Sequence, residues 1–148
     1  MNKDSSILAS KYIYAILDES TEIKSILGND KKKIFALQQP DKISFPFIVF
    51  QRNSLSVSYT KDYPLQFGWT NTLQFEIACV SDDYIESIEL ANAVRHSVEG
   101  YRWTDRDENQ NVIIKINPIR IVSVNEYVVD TDSSTAFVQS ILITFDCE

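Results

Sequence analysis

The sequence predicts an α+β domain: a mainly antiparallel sheet with two helices packed on one face and a long hairpin-like arm. Three observations carry that reading. Thr72 to Cys79 alternates, with Leu73, Phe75, Ile77 and Cys79 on one side and Thr72, Gln74 and Glu76 on the other. A helical period follows at once, where Tyr84, Ile88, Ala91, Val94 (or Arg95) and Val98 recur up to Gly100. Two more alternating stretches close the chain, joined by the turn-forming run Asp130 to Ser134. The connection at Ser81-Asp82-Asp83 is short, so the helix folds back across the apolar face of the strand before it. Ser81 or Asp82 can cap its first N–H groups, Asp83 and Glu86 suit its positive end, and Gly100 can end it in a left-handed conformation.

The remaining elements are read around that unit. Ser5 or Ser6 can cap a helix from Ile7 to about Leu17, with Ile7 or Leu8, Tyr12, Ala15 and Ile16 facing inward. Asp18 to Thr21 interrupts it, and a short second turn from Glu22 to Leu27 ends at Gly28. Ile34 to Leu37 is a short extended segment, and Pro46 opens the next strand at a tolerated position. Phe47 to Phe50 is apolar on both faces, as in a strand covered on both sides or held at a subunit contact.

From Arg52 to Thr70 the chain is polar and aromatic, and Leu55, Val57 and Tyr59 alternate, which suits a hairpin arm at about 53–70. Its aromatics either serve an interface, which recruits exposed Tyr, Phe and Trp, or fold onto the edge of the domain's own core. The closing strands span about Ile119 to Val129 and Ala136 to Asp146. In the first, Val122, Val124 and Val128 lie opposite Ile121 and Tyr127; in the second, Phe137, Ile141, Ile143 and Phe145 share a face. The 148 residues form a single domain, 1–148, on this reading.

Composition narrows the function classes. With 44% apolar and 24% charged residues the chain is of the soluble globular type, and no apolar run approaches the length of a membrane span. Its N-terminus lacks a signal-peptide core, so the product is expected in the cytosol. A net charge of −7 disfavours tight binding to phosphate backbones, and the one basic run, Lys31-Lys32-Lys33, reads as a solvated loop. Cys79 and Cys147 have no metal or redox spacing and read as reduced thiols.

Catalytic patterns are missing. His96 is the single histidine, no nucleophile elbow accompanies it, and three glycines cannot build a phosphate-cradling loop. Asp105-x-Asp107-x-Asn109 resembles the first half of a calcium loop. It fails where glycine is required (Gln110) and at the twelfth position (Ile116), so it reads as a solvated acidic loop. No catalytic residue, cofactor or metal is expected.

Four stretches together resemble the tail completion (tail terminator) proteins of tailed phages. They are the leading helix; Lys33-Ile34-Phe35-Ala36-Leu37 followed by Phe45-Pro46-Phe47-Ile48-Val49-Phe50-Gln51, with Phe47 where a tyrosine is usual; Leu73 to Cys79 with Tyr84 and Ala91-Asn92-Ala93-Val94-Arg95; and the C-terminal hairpin. The segments Pro64 to Trp69 and Asp105 to Asn111 depart from the family pattern. The resemblance implies a virion protein, assembled in the bacterial cytoplasm, that forms a homo-oligomeric ring, typically a hexamer, at the head-proximal end of the tail. Such a ring stops the tail tube protein from polymerising and faces a head connector (stopper) protein. DNA passes through it without specific binding, a role the acidic balance suits. A head–tail connector or tail assembly adaptor of similar fold, or a cellular interaction module, is the alternative. Ring contacts are expected to draw on the doubly apolar strand and the arm, through Phe47, Val49, Tyr59, Tyr63, Phe67 and Trp69.

Overall fold

A computed structural model describes residues 8–28, 33–38, 43–58, 70–130 and 134–147. Helices α1 (Ala9–Glu19), α2 (Thr21–Leu27) and α3 (Tyr84–Val98) pack against one face of a sheet built from β1 (Ile34–Ala36), β2 (Phe47–Ser58), β3 (Thr70–Ser81), β4 (Trp103–Arg106), β5 (Val112–Ile116), β6 (Arg120–Asp130) and β7 (Thr135–Cys147). The fold is α+β as expected, with three helices among the described residues because Ser20 splits the leading one. Strand order is β1-β2-β3-β7-β5-β4, and β6 also pairs with β7. Among the described residues all pairings are antiparallel except β1 with β2.

Alternation in β3 sets the core. Leu73, Phe75, Ile77 and Cys79 are all fully buried, and they face Phe145, Ile143 and Ile141 of β7. The Phe75 and Phe145 rings stack at 5.7 Å and 10°. From the helices, Ile13, Leu17, Ile23, Leu90, Val94 and Val98 close over this layer. In α1 the inward face is Ala9, Tyr12, Ile13, Ile16 and Leu17, while Leu8 is exposed. The expected caps at Ser5 and Ser6 lie outside the described residues.

Local chemistry fixes the helix ends. Ser20 Oγ accepts from the Ile23 N–H, and Gly28, at φ +96°, donates to the Lys24 carbonyl. The cap of α3 is Asp83, whose Oδ1 accepts from the Ile85 N–H at 3.0 Å. Ser81, expected as an alternative cap with Asp82, instead accepts from the Asp83 N–H and donates to Glu86. Asp83→Ala is expected to lower unfolding free energy by about 0.5–2 kcal/mol, measured by urea titration.

Two expectations are corrected. The stretch after Gly100 is a β-hairpin, β4–β5, whose tip holds the acidic loop. Asp107 Oδ1 accepts the backbone N–H groups of Asn109 and Asn111, and Asp105 accepts from the Tyr12 hydroxyl, so these carboxylates organise the turn and anchor it to α1. Burial first, then the Asp105 bond, pushes the Tyr12 phenol up to about 12. A raised acid favours the folded state below its ordinary value of 10.0 and loses that contribution as pH climbs towards 12. Thermal stability is therefore expected to fall between pH 10 and 12, and Tyr12→Phe is expected to flatten that fall.

The second correction concerns α3. Its buried stripe is Ser87, Leu90, Ala91, Ala93, Val94 and Val98, whereas Tyr84 and Ile88 are 42% and 39% exposed. The helix is rotated so that Tyr84 leans toward β6, donating to Glu126 at 2.9 Å and meeting the Phe137 ring edge-on.

Candidate functional site

The doubly apolar segment of β2 divides its side chains between two layers. Ile48 and Phe50 enter the core under the helices. Phe47 and Val49 point to the opposite face, where Phe47 joins Val80 and Val138 in a second, smaller apolar cluster. Phe45 stacks on Phe47 at 5.6 Å, and Phe35 meets it edge-on. Phe47 is thus 4% exposed within its own chain, and Val49 is half-buried beside it.

Beside this cluster lies an open groove of about 350 Å³. Its floor comes from Val49, Ala78 and Val138, and its far wall from Tyr127, Val129 and Ala136. The register explains the grouping, because Val49 pairs with Ala78, Tyr127 with Val138, and Val129 with Ala136. Among the described lining residues the polar side-chain groups are those of Gln51, Glu76 and Ser134 and the Tyr127 hydroxyl. Glu76 accepts from Ser140 Oγ at 3.1 Å. Partial burial, and then the Glu76 charge, raises the Tyr127 phenol above its ordinary value and keeps it neutral. No cation lines the groove among the described residues, and that lining suits apolar or aromatic side chains.

The arm begins as an extension of the sheet. Pairing of β2 with β3 continues through a bulge between Arg52 and Ser54 as far as Ser58 opposite Thr70. The two strands thus stay paired through Ser58 and Thr70. Four of the expected interface residues, Tyr59, Tyr63, Phe67 and Trp69, lie outside the described residues, so Phe47 and Val49 are the two brought together here.

A second apolar surface was not anticipated from sequence. Strand β6 forms an edge along β7, and Val122, Val124, Tyr127, Val128 and Val129 on it are each exposed by 42–53%. A register shift between Ile121 and Ser123 changes the phase of alternation, so Val124 and Val128 share the helix-side face with Ile141 and Phe137, while Tyr127 and Val129 line the groove. The signal was present: the 119–129 stretch is apolar on both faces, like residues 47–50.

His96 is exposed on α3 with Nδ1 3.4 Å from Glu22. Cys79 is buried under the helices, where desolvation raises its thiol well above the ordinary value and leaves it unreactive. No group of three or more His, Cys, Asp or Glu able to hold a metal occurs among the described residues. No helix among them is long and apolar enough to cross a membrane.

The architecture has a solved counterpart. A chain in the virion of a native gene transfer agent (GTA) particle has the same fold. The two superpose with a TM-score of 0.64 at 11% sequence identity, covering 92% of each chain. No protein-family model matches the sequence, and no curated protein matches it.

Proposed function

We propose that this chain is a structural virion protein of a tailed phage or prophage, and within that class a tail terminator. The observation that carries the reading is the fold shared with a chain of the GTA virion over 92% of both lengths. The apolar surface left open on the groove and on β6 supports assembly, since soluble monomers seldom leave long apolar edges uncovered. The described lining of the groove is mainly apolar and favours protein contact.

On this reading, copies of the chain form a ring, a hexamer in the form the family resemblance implies. It sits at the head-proximal end of the tail, between the tail tube protein and the head connector. Val49, Tyr59, Tyr63, Phe67 and Trp69 belong to the contacts between copies, and Phe47, buried in its own chain, packs against Val49. The net charge of −7 lets DNA pass the ring without adhering.

Deleting the gene in the phage or prophage that carries it tests the terminator role. Electron micrographs of the lysate are expected to show filled heads apart from overlong, uncapped tail tubes. Tubes of normal length beside heads that have lost their DNA would assign the chain to the head connector instead. Normal, infectious particles would remove it from the joining apparatus.

A further inference from the structure

Helices cover only part of the sheet face on which they pack. Helix α3 lies over β3 and β7, and α2 takes its far flank, where Ser97 Oγ donates to Ser20 Oγ at 2.9 Å and His96 stands beside Glu22. Strands are about 4.8 Å apart and packed helices about 8–10 Å, so a helix on the near flank of α3 would lie over β6. No helix among the described residues covers Val124 or Val128 there, and both are exposed on the helix-side face. Tyr84 and Ile88, one turn apart and also exposed, form the α3 side of the same trough. The Tyr84 ring meets Phe137, the cross-strand partner of Val128, so the apolar surface runs on from helix to strand.

Glu126 stands between the two valines on that face, opposite Gln139. Its Oε2 accepts from Gln139 Nε2 and from the Tyr84 hydroxyl, each at 2.9 Å. These bonds, Gln139's first, hold the carboxyl below its ordinary value, so it is charged at neutral pH. Among the described residues no lysine or arginine pairs with it, whereas Arg95 and Arg120 are matched by Glu99 and Asp146. A carboxylate held in place by neutral donors inside an apolar strip is complementary to a cation carried beside apolar side chains.

From this we infer that the trough between α3 and β6 docks an amphipathic helix of a different protein, one with lysine or arginine beside its apolar stripe. The cation meets Glu126, and the stripe lies on Tyr84, Ile88, Val124 and Val128, extending the helix layer over β6. This face is opposite the groove, and the inference does not depend on the terminator role.

Two labelled peptides the length of α3 test it, each with a leucine stripe, flanked by lysines in one and by glutamates in the other. Fluorescence anisotropy is expected to show the lysine peptide binding the native chain about tenfold or more tighter than the glutamate peptide. Circular dichroism is expected to gain helix on mixing. Val128→Asp is expected to weaken binding by about tenfold or more, while Val129→Asp, on the opposite face of β6, leaves it unchanged. Glu126→Lys is expected to reverse the preference between the peptides. If urea titration shows that variant unfolded, Glu126→Gln takes its place and is expected to equalise the two. Equal losses from Val128→Asp and Val129→Asp overturn the inference, as does a lysine preference that survives either change at Glu126. Binding without gain of helix, as when a peptide pairs with the β6 edge as a strand, overturns it too. So does an absence of binding, or a fall in the chain's own mass by light scattering on Val128→Asp, which would give this face to a second copy.

Discussion

A chain carrying Phe67→Ser together with Trp69→Ser is expected to sediment as a folded monomer under conditions where the native chain sediments as a ring. The core of the described residues is formed by Phe75, Phe145 and the helices without either position, so the monomer is expected to keep its circular dichroism spectrum and unfolding midpoint. Hot-spot aromatics at a contact between protein chains contribute about 2 kcal/mol or more each. Losing two weakens each contact by about 4 kcal/mol, roughly a thousandfold in its equilibrium constant. A closed ring repeats the contact at every junction, so assembly should be lost across the whole working concentration range. An unchanged sedimentation coefficient would mean that the arm does not join the copies.

The largest effect on the monomer itself is expected from Phe75→Ala. Phe75 is fully buried at the centre of β3, stacked on Phe145 and roofed by the helices. Removing a buried ring costs about 3–5 kcal/mol in lost transfer energy and residual cavity. That approaches the whole stability of many domains of this size. Urea titration should show a much lower midpoint with little change in slope. In a double-mutant cycle with Phe145→Ala, the coupling between the rings is expected to be about 0.5–1.5 kcal/mol, the value of a favourable aromatic pair. A loss below about 1 kcal/mol would mean that the β3–β7 layer is not the centre of the core.

Much of this architecture was legible because one physical signal dominated locally. From Leu73 to Cys79 in β3 every second residue is apolar, and each of those is buried, since a sheet with helices on one face sorts side chains with period two. Gly28 and Gly100 mark helix ends because both take positive φ. The β4–β5 hairpin was obscured because Asp105, Asp107 and Glu108 crowd its tip, and charge density reads as loop. What hid there was the partnering: Asp105 to Tyr12, and Asp107 to its own turn.

Helix α3 failed differently. Tyr84 and Ile88 fit the helical period, yet which arc of an amphipathic helix is buried depends on its neighbours, and α3 packs toward β3, β7 and α2 with that arc left beside β6. The bulge after Ile121 likewise changes the facing of β6 in a way alternation cannot foresee. As for the site, the double-sided apolarity of residues 47–50 did mark the strand that floors the groove. Tyr127, Val129, Ala136 and Val138 were not foreseen, because the groove exists only once β6 and β7 are brought beside β2 and β3.

The mass of the native chain in solution, followed by multi-angle light scattering over a wide dilution series, bears most directly on whether copies of the chain cover its open apolar surface. The expected result is a species of fixed stoichiometry, about six times the 17.0 kDa chain, that persists on dilution and appears as rings in electron micrographs. A mass of 17.0 kDa at every concentration would contradict it.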